Sequence, residues 1–148
     1  MLVSFVVGFL ALWIASSAVL EDKIDILPGY NGTLPSNHYS GYIPVGKLTN
    51  SAGHLHYWFI ESEQNPSSDS VVLWLNGGPG SSSLIGLFTE NGQIRSDDSS
   101  LENPIDGIPQ VFYNSYGWTK MANVLYLESP KGVGFSYCDD ATTSSECK

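Results

Sequence analysis

VVLWLNGGPGSSSLIG, residues 71–86, limits what this chain can fold into more than any other stretch. The apolar run 71–75 has the β-branched content of a strand, with apolar residues on both faces, as expected for a strand covered on two sides. Gly77, Gly78, Pro79 and Gly80 cannot continue it. Ser82 or Ser83 can then cap a helix, since Leu84, Leu87 and Phe88 recur at helical spacing and Asn91-Gly92 supplies a stop. A strand that feeds a glycine-rich loop and then a helix presents backbone N–H groups at the carboxyl end of a sheet, where α/β proteins gather ligands.

The remaining elements agree with an α/β reading. Residues 54–62, HLHYWFIES, are aromatic and β-branched enough for a strand, and 65–70, NPSSDS, form a loop. Residues 122–129, ANVLYLES, predict a second buried strand, and Pro130 to Tyr137 begins another glycine-rich turn. Residues 24–50 are dense in Gly, Pro, Asn and Ser, which predicts a draped arm of turns and short extended pieces. After Tyr137 the pattern offers no helix to cover the second strand and no further strands, so the α/β sheet is expected to be incomplete, with buried-type strands at its edges.

The loop excludes two common chemistries. A P-loop needs a Gly-Lys-Ser/Thr ending, which is missing, and Pro79 removes a donor. A dinucleotide fingerprint fails because position 83 is Ser where a third Gly is required. The better fit is a smaller anionic oxygen: Gly77 and Gly78 admit close approach to the backbone, and Pro79 biases Gly78 towards an extended conformation. Nucleic acid is not an expected partner, because 6 basic residues face 15 acidic ones, the net charge is -9, and no window concentrates Lys or Arg.

The first residues, apolar from Leu2 to Ile14 and followed by Ser16 and Ala18, predict a signal peptide, 1–18, leaving 19–148 as the mature part. The apolar run is shorter than the ~20 residues of a membrane span, so no stable span is expected after its removal. A secretory route suits Asn31-Gly32-Thr33, a glycosylation sequon, and the cysteines at 138 and 147. Cys138–Cys147 can close a local loop; pairing with other cysteines is the alternative. His54 and His56 share a strand face, but no third ligand stands near them, so no metal is expected and the pair reads as solvated. No cofactor is expected.

Residues 74–92, WLNGGPGSSSLIGLFTENG, together with 123–137, NVLYLESPKGVGFSY, resemble the serine carboxypeptidases, which have the α/β-hydrolase fold. LPGYNG, SGYIPV and YWFIES are similar to the same family's N-terminal region, so the likeness runs over roughly residues 25–138. It implies that the Gly78 N–H is half of an oxyanion hole. It also implies that Asn76 and the Gly77 N–H hold a substrate's C-terminal carboxylate, that Trp74 orients this network, and that Glu90 pairs with a second glutamate beside the nucleophile. Carboxylic groups facing a substrate carboxylate cannot all ionise at close range, which implies an acid-preferring exopeptidase of extracellular, vacuolar or lysosomal setting acting on peptide and protein C-termini.

Three positions depart from the family pattern. Ser81 stands where Cys is common, Gln93 where Pro is usual, and Lys131 where Ala is usual, the last expected to face water. The resemblance also requires a Ser on a nucleophile elbow, then Asp, then His. No Ser here has Gly two before and two after: Ser82 has Gly80 before it but Leu84 after it. His38, His54 and His56 all precede the glycine loop and match no catalytic position, and Glu128 is assigned to structure alone. The chain therefore reads as the N-terminal third or so of such an enzyme, truncated before the nucleophile and inactive alone. The alternatives are the related acyltransferase branch, which often has Thr or Ser in place of Asn76, and a non-catalytic secreted fragment. Oligomeric state is not legible.

Overall fold

A computed structural model describes residues 20–45 and 52–139. The expected signal peptide, 1–18, and Cys147 lie outside the described residues.

The first strands are β1 (Lys23–Ile24), β2 (His38–Val45) and β3 (Gly53–Ile60), joined as antiparallel neighbours. Eight residues of β2 pair with β3 from His38 opposite Ile60 to Val45 opposite Gly53. A draped arm was expected over 24–50. Instead its HYSGYIPV segment is a full strand, because Tyr39, Tyr42, Ile43 and Val45 suit a pleated surface and β3 lies ready beside it. The turn-rich residues gather before the strand.

β4 (Val71–Trp74) comes next and runs into the glycine loop, followed by α1 (Ser83–Gly86) and a π-type turn, Leu87–Asn91. The helix expected over 82–91 is thus α-helical for four residues and then widens. Ser82 caps it, its hydroxyl oxygen accepting from Leu84 N–H at 3.2 Å. Two short antiparallel strands, β5 (Ile94–Arg95) and β6 (Phe112–Tyr113), make a separate pair. β7 (Asn123–Leu127) then enters between β3 and β4, antiparallel to the first and parallel to the second, and β8 (Tyr137–Cys138) adds to the end of β3.

Among the described residues the main sheet has the order β1-β2-β3-β7-β4, a mixed sheet with β4 at its edge. The core lies against its centre: Ile60, Leu87, Ile94, Val124 and Tyr126 are fully buried. Trp58, Trp74, Leu84 and Phe88 pack around them. The expectation that β4 is covered on both faces is corrected, since Val71 is 63% exposed, Leu73 51% and Leu75 53%. These side chains alternate away from the core face, and no described element lies over them.

Candidate functional site

The glycine loop leaves the carboxyl end of β4 beside that of β7, and both of its ends are tied down. Asn76 N–H donates to Ser83 Oγ at 3.2 Å, and the Ser83 hydroxyl donates to the Leu127 carbonyl at 2.6 Å. Between these anchors Gly77, Gly78, Pro79 and Gly80 are exposed. Gly78 has φ of +135° and Gly80 of +107°, which side-chain-bearing residues rarely adopt. Pro79 was expected to hold Gly78 extended; the observed φ corrects this, and the Gly78–Pro79 peptide is cis. A Cβ on Gly77 would meet nothing within 4 Å, so its backbone is open to a ligand.

Asn76 is oriented rather than free. Its Oδ1 accepts from Trp74 Nε1 at 2.6 Å and from Gly86 N–H at 3.3 Å. With the oxygen occupied twice, the amide presents its Nδ2 donors, and a donor is what a carboxylate requires. The approach is close: a Cβ on Gly86 would fall 2.2 Å from Trp74 Nε1. Trp118 stacks edge-on against Trp74 at 5.4 Å, fixing the indole from its other side.

Glu90 lies one turn beyond Gly86 and is exposed. It opens on a cleft of about 390 Å³ lined also by Thr89, Arg95, Ser96, Asn114 and Tyr116. Arg95 is paired with Asp97 at 3.4 Å.

One histidine is not where the sequence put it. His56, expected on a solvated face, is buried, and its Nδ1 sits 3.0 Å from Oε2 of the fully buried Glu128. The Ser40 hydroxyl lies 2.8 Å from its Nε2. His54 keeps a partly solvated position, 3.0 Å from Asp139 and stacked on Tyr137. His38 is fully buried: Trp58 Nε1 donates to its Nδ1 at 3.2 Å, which leaves Nε2 to donate to Gln93 Oε1 at 2.7 Å. Burial lowers the His38 pKa, and the Gln93 bond opposes that only in part. Among the described residues no three His, Cys, Asp or Glu side chains group as metal ligands.

Two departures also find their place. Gln93 is fully buried, donating to Ser36 Oγ at 2.8 Å as well as accepting from His38, so the amide joins elements that proline could not. Lys131, expected to face water, is half-buried, and its stem fills the space beside Gly53, where a Cβ would meet Lys131 Cδ at 2.3 Å. Cys138 is buried and disulfide-bonded. Asn31 is exposed.

What sequence reasoning missed is the framework under the loop: Ser83 on the Leu127 carbonyl, and Ser82 on Glu128. The available signal was Glu128 itself, a carboxylate closing an apolar strand, which must find donors if buried.

The comparisons agree with this architecture. The model of the serine carboxypeptidase family matches residues 28–147, and the chain belongs to that family. It is 47% identical over 127 residues to serine carboxypeptidase-like 20 of Arabidopsis thaliana, covering 86% of this chain and 24% of that protein. It is 49% identical over 122 residues to the lysosomal protective protein of Mus musculus, covering 81% of this chain and 23% of that protein. Among solved structures it is similar to a prohormone-processing carboxypeptidase from Saccharomyces cerevisiae, with a TM-score of 0.61 at 25% identity, over 79% of this chain and 25% of that one. The fold is accordingly a partial α/β-hydrolase fold, and the chain spans about a quarter of the length of the curated relatives it matches.

Proposed function

We propose that this chain is the N-terminal part of a serine-type carboxypeptidase that releases C-terminal residues from peptides and proteins. In this reading the Gly78 N–H stabilises the oxyanion of acyl transfer, and Asn76, the Gly77 N–H and Glu90 hold the substrate's terminal carboxylate. Trp74 keeps Asn76 in place. The observation that carries the reading is the double acceptance at Asn76 Oδ1, which turns the amide donors outward beside an exposed backbone loop. The nucleophile, acid and histidine of the triad belong to sequence beyond residues 19–148, so this portion alone does not hydrolyse peptides.

A route through the secretory pathway to an extracellular, vacuolar or lysosomal site accompanies this function. It is supported by the signal-like residues 1–18, the exposed sequon at Asn31 and the disulfide at Cys138. No helix among the described residues is long and apolar enough to cross a membrane.

The test is made in the enzyme encoded by the full reading frame. Asn76→Ala and Glu90→Ala lower kcat/KM on peptides with a free C-terminus by about 10- to 100-fold, the range of a charge-assisted hydrogen bond, and leave C-terminally amidated or ester substrates much less affected. Equal losses on both substrate types refute the carboxylate assignment. Stoichiometric labelling of the isolated 148-residue chain by a serine-directed phosphonate would show that it carries its own nucleophile.

A further inference from the structure

Glu128 is fully buried just past the end of β7, and none of the carboxylate or oxyanion contacts proposed above uses it. A buried carboxylate persists only where donors take its oxygens. The Ser82 hydroxyl donates to Oε1, Phe135 N–H donates to Oε2 at 2.8 Å, and His56 Nδ1 faces the same oxygen at 3.0 Å. The second glycine-rich turn closes tightly over this group. A Cβ on Gly134 would fall 1.8 Å from Oε1, and the Ser136 hydroxyl returns to the Glu128 carbonyl at 2.6 Å.

Ser82 links that buried group to the exposed loop. It caps α1, and it is the first anchored residue after the strap 77–81. The strap folds back on itself and its three glycines bring no side chain to pack it: a Cβ on Gly78 would lie 3.1 Å from Gly80 N and 3.3 Å from Ser81 N. Its geometry is therefore set from outside, by two tethers on adjacent residues. Ser83 holds the Leu127 carbonyl and, through its own oxygen, the Asn76 N–H; Ser82 holds the Glu128 carboxylate.

We infer that Glu128 is a positioning residue for the oxyanion loop, acting through the Ser82 hydroxyl, with His56 orienting its second oxygen. The inference rests on the reading of Gly78 as an oxyanion donor. The division between tethers has a kinetic consequence. Asn76 is held through Ser83, Trp74 and Gly86, so loss of the Ser82 tether displaces the oxyanion donor while leaving the Asn76 amide in place. An oxyanion donor acts in the transition state, and displacement of such a group by about 1 Å can cost about 100-fold in rate.

Ser82 carries the test, because removing Glu128 leaves buried donors unpaired and threatens folding. In the full-length enzyme, with active sites counted by phosphonate titration, Ser82→Ala lowers kcat about 10- to 100-fold and keeps KM for a free-C-terminal peptide within about threefold. Ser82→Thr, which keeps the hydroxyl, recovers most of the lost kcat. A purely structural role for Ser82 would lower the melting temperature and the fraction of titratable sites without changing kcat per site, and would overturn the inference. So would a fall in kcat that Thr does not recover. Gly78→Ala is measured beside them. If it lowers kcat while Ser82→Ala does not, the positioning role alone is wrong; if it leaves kcat unchanged, the oxyanion reading of the loop falls as well.

Discussion

Trp74 Nε1 donates to Asn76 Oδ1 at 2.6 Å, across two residues that sit where a strand gives way to a glycine loop. The bond crosses no fold-scale distance, yet it decides which end of the Asn76 amide faces outward. Trp74→Phe keeps an aromatic ring against Trp118 and the core and removes the N–H together with the five-membered ring that carries it. A neutral hydrogen bond of about 0.5–1.5 kcal/mol sets the scale, so KM for a free-C-terminal peptide rises about 3- to 10-fold in the full-length enzyme. The same peptide with an amidated terminus shows a smaller change. Steady-state kinetics on the matched pair measures it.

Gly86 is the position where this arrangement tolerates no side chain, since a Cβ would meet Trp74 Nε1 at 2.2 Å and Asn76 Oδ1 at 2.9 Å. Alanine would ordinarily favour a helix by about 1 kcal/mol over glycine. Here the clash outweighs propensity, and Gly86→Ala destabilises by about 1–3 kcal/mol, the usual cost of overpacking. Urea unfolding followed by tryptophan fluorescence reads both the stability loss and the displaced indole. A gain in stability would show that Trp74 has another place to go.

The sequence made the loop and its neighbours legible because that information is local. Strand, glycines, capping serine and Asn76 lie within sixteen residues, and local chemistry names each. The long-range partners were not legible. His38 meets Gln93 across 55 positions and His56 meets Glu128 across 72, and nothing in a one-dimensional pattern says that two such polar residues share a buried site. The exposed face of β4 was misjudged for a related reason. An unbroken apolar run shows that both faces of a strand are built to be covered, but not that the covering element is among the residues described.

Asn31 follows the LPGY segment, and Asn31, Gly32 and Thr33 are all exposed. A sequon is modified only where a glycosyltransferase can reach it, and this one meets that condition. Expression through a eukaryotic secretory pathway yields a product whose mobility shifts on treatment with an endoglycosidase, and Asn31→Gln abolishes the shift. An unchanged wild-type band would remove the sequon from the argument for a secretory route.

His38 gives the fold an acid sensitivity that can be separated from any catalytic one. Burial holds its folded pKa below the ordinary 6.5, with the Gln93 bond opposing in part. Below about pH 6.5 the unfolded chain therefore binds a proton that the native state resists, and stability rises with pH through that window. The contribution is fully present above 6.5 and is lost as pH falls towards the folded value, at no more than about 1.4 kcal/mol per pH unit for one proton. Glu63 acts in a lower window. Partial burial raises its pKa, but hydrogen bonds from Tyr113, Thr119 and Lys120 outweigh this and hold it below 4.5, so its contribution is lost only as pH falls beneath that value. Urea unfolding at pH 7.0, 6.0 and 5.0 should thus show a slope that His38→Gln flattens, whatever the variant costs in absolute stability. Parallel slopes for wild type and variant would place the acid sensitivity elsewhere.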